Sequence, residues 1–308
     1  MKLWVTGARG FIGRHVCSAA LKNGHEVWAI HRPVPDATNL GAEALNAPFA
    51  GMQDIALELS DKTAVTALAR ATVPDAVIHL AWYARPQDYL NALDNADSLA
   101  STLAFARAAL EGGCKRMVGV GTCVEYATLP RPRREDDPVD PKSLYARCKH
   151  AAHLVLEELF ARSGASLSWA RLFHMHGPGE NPARLVPAVA AALRAGRSFP
   201  LSPGEQLRDH LDVRDVASAL VHLAENDVQG PINVCSGRPV SLRTVLEIIG
   251  REVGRSELLA FGQREYQPGE VMNLSGDPAR LQASGWQPAH DDLVLSLRES
   301  IAAFPQAL

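Results

Sequence analysis

Over the first half of the chain, short continuously apolar runs alternate with longer segments whose apolar residues recur at helical spacing. "KLWVTG" reads as a strand and "FIGRHVCSAALKNG" as the helix after it, with Gly24 as its C-terminal stop. "HEVWAIHR" and "DIALELS" are further strands, "KTAVTALARA" is helical and "DAVIHLAW" is again a strand. "YLNALDNADSLASTLAFARAALEGG" reads as a long helix ending at Gly112 and Gly113. A strand, "KRMVGVGT", a second long helix, "SLYARCKHAAHLVLEELFARSG", and a strand, "SLSWARLF", complete the series. Between them "ATLPRPRREDDPVDP" is Pro-rich and charged, as a surface loop is. Strands alternating with helices of this length predict right-handed βαβ units and a mostly parallel sheet. The unbroken apolar strands fit burial on both faces.

After Phe173 the rhythm changes. Proline, glycine and histidine crowd "HMHGPGENPARLVP", and shorter elements follow, among them "PINVCSG" and the helix "LRTVLEIIGREVG". The expected fold is therefore α/β: a doubly wound parallel sheet with a smaller mixed α/β C-terminal region. Residues 1–173 are expected to form the nucleotide-binding core and residues 174–308 mainly a substrate region. Elements at about 209–236 look like chain returning to the core.

Composition narrows the function. Of 308 residues 47% are apolar, enough for a sizeable core, and the net charge is −3. Lys and Arg are scattered, so no nucleic-acid partner is expected. Five cysteines lie far apart with no C-x-x-C pair, which supports neither a metal site nor a disulfide framework and points to a reduced, cytoplasmic setting. "MKLWVTG" is too short and too soon broken by glycine for a signal peptide. No apolar run approaches the ~20 residues of a membrane span, so no membrane partner is expected.

The first strand runs into Gly7-Ala8-Arg9-Gly10-Phe11-Ile12-Gly13 and then a helix. Glycines permit a tight turn and close backbone approach to a pyrophosphate, and the helix N-terminus offers free N–H groups. An acidic residue ending the second strand would bind the adenosine ribose and favour NAD. Here that strand ends in His31-Arg32, and Arg9 projects from the glycine loop. Two guanidinium groups suit a 2′-phosphate, so NADP(H) is the expected cofactor, with NAD(H) the alternative. A solvated surface charge is the competing account of Arg32.

Tyr145-Ala-Arg-Cys-Lys149 opens the second long helix, and residues at i and i+4 share a helix face. A nearby ammonium stabilises a phenolate, whose ordinary pKa is about 10, and makes the pair usable for proton transfer near neutral pH. Thr122, where "RMVGVG" meets the following loop, can hydrogen-bond a substrate carbonyl or alkoxide.

The glycine spacing and the set Thr122, Tyr145, Lys149 resemble the extended short-chain dehydrogenase/reductases, specifically the nucleotide-sugar epimerase/dehydratase group. The resemblance covers nearly the whole chain: "ARLFHMHGPGE", "RLVP", "LRDHLDVRDVASAL", "INVCSG" and "DPARLQASGWQP" each match a stretch of that group. It implies that Gly7, Arg9, Gly10, Phe11, Ile12, Gly13, Arg32, Glu58, Leu59, Leu80, Ala81, Tyr145 and Lys149 meet the cofactor. Leu57–Leu59 would lie near the adenine and His79–Trp82 near the pyrophosphate and nicotinamide ribose. It further implies that Trp82, Tyr83, His174, Leu185, Val186, Arg208 and Glu270 meet a nucleotide-diphosphate sugar. Arg208 would contact the diphosphate, unless it pairs with Asp209, and Glu270 a ribose hydroxyl. Where the group usually has asparagine and tyrosine, this chain has His174 and His176; His174 is expected to take over a substrate contact and His176 to be structural.

Dehydratases of the group carry an Asp-Glu acid/base pair after the threonine. Cys123 and Val124 stand there, which disfavours dehydration. Double epimerisation is disfavoured too, since the cysteine it uses would fall at Val124. The expected reaction is NADPH-dependent reduction of a keto group at C4 of a nucleotide-linked deoxy sugar. A 4-epimerase holding NAD(P) is the alternative, and a non-catalytic NADP sensor is a third reading, set against by the presence of both Tyr145 and Lys149. Relatives dimerise through the two long helices, which predicts a homodimer formed near Leu90–Leu110 and Leu144–Phe160.

Overall fold

The computed structural model describes residues 1–33 and 51–304. β1 (Lys2–Thr6) leads through the glycine loop into α1 (Phe11–Lys22) and β2 (Glu26–His31). β3 (Gln53–Ala56), α2 (Lys62–Thr72), β4 (Ala76–His79), α3 (Asp94–Glu111) and β5 (Arg116–Thr122) follow. A single 3-10 turn, Cys123–Glu125, precedes α4 (Leu144–Arg162), β6 (Ser166–Leu172) and β7 (His174–His176). Then come α5 (Leu185–Arg194), β8 (Phe199–Leu201), β9 (Leu207–Asp212), α6 (Val213–Glu225), β10 (Gly230–Val234) and β11 (Pro239–Ser241). The last are α7 (Leu242–Val253), β12 (Leu259–Phe261), β13 (Asn273–Leu274), α8 (Ala279–Ala283) and α9 (Leu293–Ala303). They group into two compact units.

The first unit comprises Met1–Glu125, Pro141–Arg171 and Ala217–Ile232. Its seven-stranded sheet has the order β10-β6-β5-β4-β1-β2-β3, and β1 pairs in parallel with β2 on one side and β4 on the other. The order reverses between β1 and β4, so a crevice opens at the carboxyl ends of these two strands, the place where open α/β sheets bind ligands. Leu3, Trp4, Val5, Val77 and Ile78 are fully buried, as strands covered on both faces require. Trp4, Val77, Met117 and Trp169 pack with Phe105 and Ala109 of α3 and Leu156 and Phe160 of α4 into one core cluster.

The first long helix starts later than its apolar pattern suggests, at Asp94. Asn95 is the cause. Its fully buried side chain donates to the carbonyls of Tyr89 (2.7 Å) and Ala92 (2.8 Å) and accepts from Trp82 Nε1 (2.9 Å). Those bonds divert the backbone just where an earlier helical turn would run. The second long helix starts at Leu144, with Ser143 Oγ capping it through the Ala146 N–H at 3.2 Å.

The second unit comprises Tyr126–Asp140, Leu172–Val216 and Asn233–Leu308. β9 is its centre, flanked by β11 and β13 and also paired with β7, and β12 pairs with β8. Val189 and Leu193 of α5, Val245 and Ile249 of α7, and Leu297 and Ile301 of α9 form its core. Among the described residues no helix is long and apolar enough to cross a membrane.

Candidate active site

The glycine loop is built to bring backbone close to backbone. Gly7 has φ +68°, and a Cβ there would lie 2.9 Å from Ala81 N, the chain leaving β4. A Cβ on Gly13 would lie 2.2 Å from Gly7 O, so only glycine lets α1 sit against the turn. Gly10 N–H closes the turn onto Gly7 O at 2.9 Å and begins α1 without a side-chain cap. A bare turn at an uncapped helix N-terminus fits a dinucleotide pyrophosphate. Arg9, Phe11 and Ile12 are half-buried in and after this turn, and Leu80 and Ala81 face it from the end of β4. His79 lies behind: its ring nitrogens are bonded to Thr6 Oγ1 and Thr102 Oγ1, each at 2.9 Å. Burial, then Lys149, pulls this imidazole down to about 3, so it is a neutral structural group.

At the end of β2, Arg32 is exposed. Arg9 Nη2 lies 2.7 Å from Asp54 Oδ2 on β3, and His31 Nε2 lies 3.0 Å from the other oxygen of the same carboxylate. Asp54 escaped the sequence reading because the parallel register of β2 and β3 brings it there. Glu58 is exposed and Leu59 half-buried in the loop that follows β3.

Thr122, Tyr145 and Lys149 come together in the first unit. Tyr145 feels the Thr122 hydroxyl. Its ring meets Tyr89 edge-on at 5.1 Å and Trp82 at 6.5 Å. Lys149 is 4% exposed; its Nζ donates to Val120 O at 2.7 Å and sits 3.9 Å from the Trp82 ring centroid. Burial pulls the ammonium down to about 7, while the Glu125 carboxylate pushes it up. Burial, with Tyr89, raises the Tyr145 phenol above its ordinary value, and the Thr122 hydroxyl works the other way. Tyr83 is placed differently: its hydroxyl donates to Asp88 at 2.9 Å, and its backbone N–H to Ser98 Oγ.

Glu125 also belongs to this cluster, and it carried no signal in the sequence beyond a charge inside an apolar run. It is fully buried. Its carboxylate accepts from the Thr122 N–H (2.8 Å), Trp169 Nε1 (3.2 Å) and Arg171 Nε (3.1 Å). The glycines of β5 make the room: a Cβ on Gly119 or Gly121 would collide with the Trp169 ring. Cys123 beside it is buried at 5% exposure.

The remaining candidates lie in the second unit. Arg208 pairs with Glu270 at 2.5 Å and donates to the carbonyls of Leu207 and Val271; Glu270, not Asp209, is its carboxylate partner. Asp209 instead accepts from the backbone N–H groups of Ser236 and Gly237. Burial, then Arg208 and Arg184, lowers His174 to about 4, leaving a neutral ring 5.6 Å from that of His210. His176 is 1% exposed and bonded to Ser296 Oγ at 2.7 Å, which in turn donates to Asp212. Leu185 is exposed at the start of α5, whereas the Val186 side chain is committed to the core.

Residues 3–235 match the NAD dependent epimerase/dehydratase family. The chain is 29% identical to a dTDP-6-deoxy-L-talose 4-dehydrogenase (NAD(+)) of Aggregatibacter actinomycetemcomitans, over 80% of this chain and 88% of that one. It is 27% identical to a GDP-6-deoxy-D-mannose reductase of Pseudomonas aeruginosa, over 98% and 95%. Among solved structures, a UDP-N-acetylglucosamine 4-epimerase from Methanobrevibacter ruminantium M1, in complex with UDP-N-acetylmuramic acid, superposes with a TM-score of 0.86 at 26% identity, covering 98% of this chain and 97% of that one. With the family match spanning most of the chain, the chain belongs to the NAD dependent epimerase/dehydratase family, the extended short-chain dehydrogenase/reductases, and is an enzyme.

Proposed function

We propose that the chain reduces the C4 keto group of a nucleotide-linked deoxy sugar, with NADP(H) as the preferred hydride carrier. The observation that carries the reading is the gathering of Thr122, Tyr145 and Lys149, with the buried Lys149 Nζ 5.9 Å from the Tyr145 ring centroid. A bound nicotinamide dinucleotide supplies the hydride. Thr122 Oγ1 holds the ketone oxygen, and Tyr145 Oη donates the proton that this oxygen takes up. Lys149, whose ammonium burial pulls down to about 7, stabilises the phenolate that remains and anchors the nicotinamide ribose. Trp82 walls the site and keeps water from Lys149.

Dehydration has no acid/base pair to use. Cys123 and Val124 occupy the two positions, and the next residue, Glu125, is buried among three donors. The relatives named for deoxy-sugar oxidation and reduction support a reductive role. Within the second unit we assign Arg208 to the substrate diphosphate, Glu270 to a ribose hydroxyl, and His174 and Leu185 to further nucleotide-sugar contacts; Tyr83 of the first unit is assigned a substrate contact of its own. The two arginines near the end of β2 support NADP(H) by charge, and Asp54, bonded to one of them, limits the preference. Likeness to a 4-epimerase favours epimerisation as the second reading. A homodimer is supported by exposed Leu93 (80%) before α3 and Leu154 (53%) on α4, and sedimentation velocity tests it.

The deciding experiment presents nucleoside-diphosphate hexoses and their 4-keto-6-deoxy forms with NADPH or NADH. Net loss of reduced cofactor on a 4-keto sugar is expected. Interconversion of C4 isomers without net loss would replace the reductase with an epimerase.

A further inference from the structure

We infer that Glu125 is a positioning residue of the proton-transfer site, fixing the backbone of Thr122 and supplying the counter-charge for the Lys149 ammonium. The inference rests on the reading of Thr122, Tyr145 and Lys149 as the proton-handling set.

The geometry is specific. One carboxylate oxygen takes the Thr122 N–H at 2.8 Å, which fixes the strand end that presents the Thr122 hydroxyl. The other takes Arg171 Nε at 3.1 Å, and Trp169 Nε1 lies 3.2 Å from both. Gly121 is part of the arrangement, since a Cβ there would lie 2.5 Å from Glu125 Oε1. Arg171 from β6 and His150 and His153 from α4 lie against Glu125, Tyr145 and Lys149 of α4 feel its charge, and Cys123 stands two residues before it on the same turn. Lys149 Nζ lies 5.9 Å from the Tyr145 ring centroid, and its charge acts on His79 and responds to Glu125. Arg171 is bonded to this fully buried carboxylate and Lys149 feels its charge through space, and a charge at this depth is weakly screened. A metal-ion reading of Glu125, His150 and His153, whose ligand atoms lie within 4.8 Å of one another, fails because Arg171 already occupies the carboxylate.

The sign follows from the charges. Glu125 holds the Lys149 proton on and opposes the Tyr145 phenolate, so removing its charge moves both titrations to lower pH. The test uses Glu125→Gln and Glu125→Asp in full-length protein saturated with oxidised dinucleotide. Lysine ε-13C resonances are followed against pH, with the Lys149 signal assigned through Lys149→Met. Glu125→Gln is expected to lower the Lys149 titration by about 0.5–1.5 pH units and to move the alkaline limb of kcat the same way. Glu125→Asp keeps the charge and should hold that titration near wild type, while kcat falls because the shorter side chain withdraws from Thr122. A Glu125→Gln protein with unchanged titration and limb, and only a lower Tm, overturns the proposal. If Glu125→Gln does not fold, Glu125→Asp decides: unchanged kcat, or a titration displaced as far as burial alone would take it, overturns it. The resonance is read without turnover. A protein that titrates as expected yet reduces no 4-keto sugar keeps this inference and loses the proposed reaction.

Discussion

Tyr145 is held by groups from three places along the chain: Thr122 at the end of β5, Lys149 one turn along α4, and the Tyr89 and Trp82 rings. Removing its hydroxyl removes the proposed proton donor but little packing. Tyr145→Phe should lower kcat by about 10²–10⁴-fold while leaving dinucleotide affinity, read by fluorescence titration, within a few-fold. Asp54 bears on cofactor choice in the opposite sense from Arg9. Its carboxylate engages Arg9 and lies beside His31, so it repels an adenosine 2′-phosphate and occupies a guanidinium that would bind one. Asp54→Asn should raise the ratio of kcat/KM for NADPH over NADH several-fold; an unchanged ratio would remove Asp54 from cofactor selection.

Among the elements, those with strong local signals were readable from residue order. β1, the glycine loop and α1 follow from an apolar run, three glycines and a helical period, all within a short segment. Lys149 was paired with Tyr145 because helical spacing alone puts both on one face. The start of α3 was not readable, because buried Asn95 diverts the chain only once Trp82 and the preceding carbonyls surround it. The loop itself can be tested. Gly13→Ala puts a methyl 2.2 Å from Gly7 O, and backbone must move to admit it. Overpacking of this kind costs roughly 1–3 kcal/mol. The variant should show a lower urea midpoint and a dinucleotide affinity reduced by at least tenfold in calorimetry.

Across the whole molecule, buried neutral histidines set the response to acid. Burial comes first in lowering His153, His174 and His176, each to about 4, with Arg171, Arg208 and Arg214 among the further causes; Asp212 opposes the shift at His176. Their unfolded value is about 6.5. Between pH 6.5 and about 4 the unfolded chain therefore binds protons that the folded chain refuses, and stability falls as pH falls. The contribution is complete above about 6.5 and amounts to on the order of 1–3 kcal/mol per histidine. The histidines should lower the urea midpoint from pH 7 to pH 5, against the opposing pull of Glu180, which burial raises to about 8 and which holds a proton in the folded chain across this window. A flat profile across that window would contradict the neutral buried state of these rings.

The sequence alone determined the parallel α/β architecture, the dinucleotide turn and the Tyr-Lys helical face. Each depends on period and spacing within one or two elements, where chain connectivity fixes the geometry. Tertiary structure decided which charges meet. Glu125 joins Trp169 and Arg171, 44 and 46 residues away, and Asp54 reaches Arg9 across two strands. Strand order and register set such meetings, and the energy of a charge depends on burial that no local pattern records.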